Sequence, residues 1–182
     1  ARTESTPRDP SGLAHVWMTM RRNLDYYMAS VDGWPFEVGV DMTHAQAGDN
    51  RELPYRAHLR LELNHPTEDG LCTAEEEALL VAVQGEILSS LDSRDNRLVA
   101  VVTHRKARTL VFYMRDKPEG EHPVLRSLDA VQTHATKVLF EEDPDWVEYR
   151  EFLFPDENLR HQIRDRQILR EFERRGDDCS EV

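Results

Sequence analysis

The stretch YRAHLRLELN, Tyr55 to Asn64, decides the fold. Tyr55, Ala57, Leu59, Leu61 and Leu63 alternate with Arg56, His58, Arg60, Glu62 and Asn64. A strict period of two puts one set of side chains in a core and the other toward water, so the segment reads as a half-buried strand. His65-Pro66 stops it, because proline removes a backbone donor and restricts the residue before it.

Toward the C-terminus, Thr73 and Glu76 have the spacing of a capping box, with Glu75 to Glu77 at the end of a helix where its dipole favours negative charge. Leu80, Val83, Ile87 and Leu91 then recur three and four residues apart on one helical face. Gly85 within it costs about 1 kcal/mol against alanine and permits close packing. Leu98 to Val102 is a short β-branched apolar run, which predicts a buried central strand. Thr109 to Met114 supplies another, joined to it by a tight basic turn, His104-Arg105-Lys106-Ala107, that lacks a glycine. Leu125, Leu128 and Val131 give Pro123 to Gln132 helical spacing, and Lys137 to Phe140 reads as a last strand. After Pro155, Leu159 and Ile163 form one apolar stripe. Ile168, Leu169 and Phe172 form a second, out of phase with the first, which predicts a kink or break near Arg164 to Arg166. Gly176 sits where a helix would stop.

Toward the N-terminus, Tyr27 to Met42 predicts a β-hairpin around Asp32-Gly33, with Phe36, Val38 and Val40 alternating after the turn. Pro35 keeps the start of that second strand out of a central ladder position. His44 to Pro54, with Gly48, Asp49 and Asn50, reads as a polar loop. Structure is expected from about Val16, and Ala1 to Gly12 reads as a frayed leader.

The succession predicts an α+β, ferredoxin-like two-layer sandwich (β-α-β-β-α-β) with an N-terminal β-hairpin and a C-terminal helix. Residues 1–14 are expected as a flexible leader, 15–155 as a single α+β domain, and 156–182 as a C-terminal helical appendage.

The 182 residues carry 23 basic and 35 acidic side chains, a net charge of −12. Leu, Ile, Val and Phe number 43 of 182, enough for a core despite the charge. Twenty of the basic residues are Arg, which speaks against a lysine-rich nucleic-acid coat, and the net charge gives no steering toward phosphates. No apolar run approaches a membrane span or a signal-peptide core, so a soluble cytoplasmic protein is expected. Cys72 and Cys179 are too few for a disulfide scaffold.

No phosphate-cradling glycine loop, nucleophile elbow, HExxH pair or CxxC is present. His58, His65 and Cys72, seven apart, match no zinc spacing, and exposed histidines are the plainer reading. Thr103 and His104, with Asp143, cannot form a nucleophile–base pair directly, since neighbours on a strand point to opposite faces. Arg105, Lys106 and Arg108 make a small basic tip that suits edge-strand protection. No cofactor, metal or catalytic residue is expected.

Charge segregation says more. Leu139 to Asn158 holds eight acids against Arg150 alone, or −7, interleaved with Phe140, Trp146, Tyr149, Phe152 and Phe154. Arg160 to Arg175 follows with six arginines against three acids, or +3. The plainer reading makes the aromatics core anchors and the charges solvated faces that pair with each other. The sharper one makes Glu141, Asp143, Trp146, Glu148 and Tyr149 a contact surface for a basic protein, aromatics carrying energy and charge carrying specificity.

With these residues in view, the chain resembles the bacterial family known as domain of unknown function 695, from about Trp17 to Pro155. The landmarks are Trp17, Asp32-Gly33-x-Pro35, Gly70-Leu71 followed by Glu75 and Glu76, then Thr103, Arg108 and Phe112-Tyr113. Asp143-Pro144-x-Trp146-x-x-Tyr149, with Leu153-x-Pro155 behind it, is the most specific. The hairpin tip departs from the pattern, with Lys106-Ala107 where a glycine is expected. The family implies no activity and therefore no catalytic residues. Asp165 to Asp178, through Arg166-Gln-Ile-Leu169, Phe172 and Gly176-Asp177, is similar to the opening of proteins related to regulator B of ribonuclease E. That implies a context of protein inhibition or RNA turnover.

The expected function is a non-enzymatic interaction or regulatory module with a basic protein partner; nucleic acid and membrane are not expected as partners. The alternative is a small-ligand-binding or hydrolytic domain with a cleft between the hairpin and the main sheet, lined by Trp34, Arg108 and Tyr113. A homodimer through an exposed edge strand is a third option.

Overall fold

The alternating stretch, from Tyr55 to Glu62, pairs on both sides in one antiparallel sheet. The computed structural model describes residues 23–46, 52–91, 94–120 and 122–175. The strands are β1 (Asp25–Val31), β2 (Trp34–Val40), β3 (Tyr55–Glu62), β4 (Asn96–His104), β5 (Ala107–Met114) and β6 (Thr136–Glu142). The helices are α1 (Ala74–Leu91), α2 (Pro123–Asp129) and α3 (Glu157–Arg175), with a 3-10 turn at Met42–Gln46 and a π-helical turn at Tyr149–Leu153. The sheet has six strands in the order β1-β2-β4-β5-β3-β6, and every neighbouring pair is antiparallel. The fold is α+β. The expected leader, Trp17, Gly48 to Asn50, Gly176 and Cys179 lie outside the described residues.

The two faces of the sheet carry two cores. Ala57, Leu59 and Leu61 of β3 and Leu110, Phe112 and Met114 of β5 meet Leu80, Ile87, Leu88 and Leu91 of α1 and Val124 and Leu128 of α2. Each such aliphatic side chain, fully buried, contributes about 1.5–3 kcal/mol. On the other face, Tyr27, Val38, Val40, Val99, Val111 and Tyr113 lie beneath Trp146, Tyr149, Leu153 and Ile163. An irregularity in the β4–β5 register at Leu98/Ala100 lets both Val99 and Ala100 join that second core. The run Leu98 to Val102 is therefore a central strand packed on both faces.

Both hairpin tips use left-handed backbone. Asp32 and Gly33 have φ of 53° and 78°, and Arg105 and Lys106 have 45° and 61°, the signs that two-residue hairpin turns of matching twist require. The missing glycine at Lys106 is compensated by tertiary hydrogen bonds. Its N–H donates to Gly70 O and its C=O accepts from Leu63 N–H, both at 2.9 Å. Gly70, at φ +76°, is itself required, because a Cβ there would lie 2.9 Å from the Lys106 nitrogen.

Two sequence expectations are corrected. The hairpin does not stand apart from the main sheet, since Phe36 to Val40 pair with Ala100 to His104 and no gap separates the two. α3 runs unbroken through Arg164 to Arg166. Ile163 is buried in the second core and Leu159 packs against it, while Ile168 is 46% exposed; the side chains of Leu169 and Phe172 lie outside what is described. Ile168, left at the surface, demands no change of phase. Among the described residues, no helix is long and apolar enough to cross a membrane.

Candidate functional site

The described residues cover the second face of the sheet over β1, β2, β4 and β5 and leave it open over β3 and β6. The cover begins at Asp143, whose N–H donates to Pro54 O at 2.8 Å as β6 ends. The Asp143 carboxylate accepts from the N–H of Val147 (2.7 Å), the N–H of Glu148 (3.2 Å) and the hydroxyl of Tyr113 (2.6 Å). It therefore caps the helical turn that follows and ties that turn to β5. Trp146, at φ 54°, swings back onto the sheet, its indole stacking on Tyr113 at 4.0 Å and its N–H donating to Leu53 O at 3.0 Å. The hydroxyl of Tyr149 donates to Asp41 O at 2.6 Å, and that of Tyr27 to Leu153 O at 2.8 Å. Burial opposes the charge on Asp143, but those hydrogen bonds and the Arg56 guanidinium outweigh it and hold the carboxyl below its ordinary value. Burial and the Asp143 charge push the Tyr113 phenol strongly upward.

The sequence candidates thus separate. Trp146 (1% exposed), Tyr149 (0%) and Asp143 (7%) are structural anchors beneath the site, which is the plainer reading of the aromatics. A partner cannot touch the two rings. Glu141 and Glu148 remain at the surface, on either side of Arg56. Arg56 ion-pairs with both and lies 3.6 Å from Asp143, and His58 Nε2 is 3.0 Å from Glu148. His58 is accordingly half-buried in a polar network rather than a free surface histidine. Arg56, Glu141, Asp143 and Glu148 line an open groove of about 770 Å³, completed by Glu142, Val147 and Phe152. Phe152 is 70% exposed and Val147 41%.

The alternative cleft residues do not converge. Trp34 is half-exposed beside the first hairpin turn. Arg108 and Tyr113 lie five apart on β5 and so point to opposite faces of the sheet. Arg108 is buried, donating to Glu77 (2.7 Å) and to the Thr103 hydroxyl (3.0 Å), so the basic hairpin tip consists of Arg105 and Lys106 only.

Sequence reasoning missed a second polar centre at the start of α1. Thr73 caps the Glu76 N–H at 3.2 Å, but the Glu76 carboxylate turns away from the cap. It accepts from the N–H groups of Asn64 (2.9 Å) and His65 (2.8 Å) and meets His134 Nε2 at 2.9 Å, both side chains being fully buried. Burial opposes the charge, yet these partners hold the Glu76 carboxyl below its ordinary value. A capping-box spacing gave no sign of this, because the partners come from residues 64 and 134. Nearby, burial pushes the Cys72 thiol up to about 12, away from the reactive thiolate. Among the described residues, no group of three His, Cys, Asp or Glu side chains could hold a metal ion.

The pattern of a family of unknown function, DUF695, matches residues 22–154. The chain belongs to the DUF695 family. The match runs from just before β1 to the end of the π-helical turn, so the Asp143 cap, its aromatic anchors and the groove are all inside the DUF695 region, whereas α3 follows it. No curated protein and no solved structure matches the chain.

Proposed function

We propose that this DUF695 domain is a non-enzymatic interaction module that holds a basic, partly apolar segment of a protein partner in the groove beside β6. One observation carries the reading: an open groove lined by four carboxylates, from Glu141, Glu142, Asp143 and Glu148, against the single guanidinium of Arg56, with Phe152 exposed at its rim. Arg56 already pairs with three of the four, which leaves excess negative potential for arriving lysine or arginine side chains. Phe152 and Val147 offer apolar contact at the same place, the combination of anchor and charge that interfaces use.

The segment β3-α1-β4-β5-α2-β6, with its spatial order β4-β5-β3-β6, supports a ferredoxin-like reading of the central unit, with the β1–β2 hairpin as an extension of the same sheet. In this proposal the module works in the bacterial cytoplasm, and the tail's resemblance to regulator B of ribonuclease E relatives favours a regulatory partner.

The test is fluorescence anisotropy with labelled peptides, basic ones with and without apolar residues and acidic ones as controls, at low and high salt. Basic peptides should bind, weakening in salt, and Glu142→Lys with Phe152→Ala should weaken binding by about tenfold or more. Both positions are exposed, so the fold should survive the change. Equal binding of acidic peptides, or binding indifferent to the double substitution, would overturn the reading.

A further inference from the structure

Among the described residues the sheet ends at β6, and we infer that this edge docks a second copy of the chain, the two β6 strands pairing antiparallel about a two-fold axis at Leu139. β6 pairs with β3 on one side, and no other described strand pairs with it. Its hydrogen-bonding phase is readable. Glu62 N–H donates to Ala135 O and Asp143 N–H to Pro54 O, so odd-numbered residues of this segment turn their backbone groups toward β3. Thr136, Val138, Phe140 and Glu142 consequently turn N–H and C=O toward the open edge.

Natural sheets guard such an edge with proline, a bulge, a very short strand, inward charges or charged side chains along the strand, and of these β6 carries only the last. β6 has seven residues, no proline and an unbroken register with β3, and its centre is Val138-Leu139-Phe140. Leu139 is 54% exposed. The charges sit at the ends with opposite sign, Lys137 at one and Glu141 and Glu142 at the other.

That distribution is self-complementary in one register. With Leu139 opposite Leu139 of the second copy, Val138 faces Phe140 and Thr136 faces Glu142, all four with outward backbone groups, and each such pair exchanges two hydrogen bonds. Lys137 then stands opposite Glu141 of the second copy, twice by symmetry, on the same face as the leucine pair. Both charged side chains are accessible for this: Lys137 is 72% exposed beside Glu62, and Glu141 is 50% exposed beside Arg56. The opposite edge lacks these features. β1, DYYMASV, has no basic residue to set against Asp25, and α3 packs against it.

Sedimentation equilibrium on the full chain tests the pairing, with hydrogen exchange at low and high protein concentration. The wild type should form a reversible dimer, and the amides of Val138 and Phe140 should gain protection as concentration rises. Lys137→Glu alone and Glu141→Lys alone each place like charges opposite one another twice, and each should weaken dimerisation by about tenfold or more. An equimolar mixture of the two variants restores both opposite-charge pairs and should recover the dimer, which a folding defect would not do. A monomeric wild type overturns the inference. So does a dimer that leaves those amides unprotected, is indifferent to both variants, or is not recovered on mixing. Lys137 lies outside the groove, so Lys137→Glu should leave peptide binding intact, and the two readings can fail separately.

Discussion

Tyr113 and Asp143 join the sheet to its second cover through one buried hydrogen bond of 2.6 Å. The same phenol oxygen accepts the Tyr149 N–H at 3.4 Å, so a single atom serves both β5 and the π-helical turn. Removing it leaves Asp143 with two backbone N–H groups and Arg56, and takes away the phenol contact of the Tyr149 N–H. Tyr113→Phe should therefore cost about 1–3 kcal/mol in urea unfolding, with the stacking on Trp146 retained. Asp143→Ala removes the cap of the turn as well as the partner of a buried phenol, and should cost more than Tyr113→Phe. Equal midpoints for Tyr113→Phe and wild type would show that the phenol–carboxylate bond adds nothing net to holding the covering segment.

At the scale of elements, what was legible depended on how many faces an element buries. β3 could be read residue by residue because one side is buried beneath α1 while Arg56, His58 and Arg60 on the other stay half-buried. β4 was read from its continuous apolar run because both its faces are packed. The covering segment was not legible. Trp146 and Tyr149 point in and Phe152 points out, yet all three lie in the same acidic run. What separates them is the positive φ at Trp146 and the π winding after it, neither of which leaves a periodic trace. The groove was legible only as a charge block, since Arg56 reaches it from a strand some ninety residues away in sequence, where its neighbour His58 also meets Glu148. α3 misled in the opposite way, because its two stripes implied a change of phase, yet the helix is continuous, with Ile163 buried and Ile168 46% exposed. Ile163→Glu should therefore lower stability by about 3 kcal/mol or more, as an unpaired charge replaces a buried side chain. Ile168→Glu should stay within about 0.5 kcal/mol of wild type. A loss at Ile168 as large as at Ile163 would mean that the second stripe does have a packing partner.

For the molecule as a whole, three carboxylates shift the same way: Glu76 and Asp143 join parts distant in sequence, and Asp41 caps the turn that follows its own strand. Asp41 follows β2, Glu76 opens α1, and Asp143 follows β6. Burial works against charge at each, but hydrogen bonds win: His44 and Thr43 bring Asp41 down to about 2, and Glu76 and Asp143 are also lowered. A carboxyl whose folded pKa lies below its unfolded value of about 4 is more stabilising when ionised. Its contribution is full above that unfolded value and is lost as pH falls through the folded one. Asp25 has the opposite sign, raised chiefly by burial, and offsets part of the effect. Net charge adds a smaller trend, since −12 at pH 7 shrinks as carboxylates protonate and self-repulsion relaxes. Stability should accordingly hold level or rise slightly from neutral pH to about 5, then fall from about pH 4 toward 2. Glu76→Gln isolates one contributor: it should be less stable than wild type at pH 7 and lose less on acidification, so the two curves converge near pH 2–3. Urea midpoints measured across that range decide it. Parallel curves would show that Glu76 acts through shape and hydrogen bonding alone, with its charge contributing nothing to the fold.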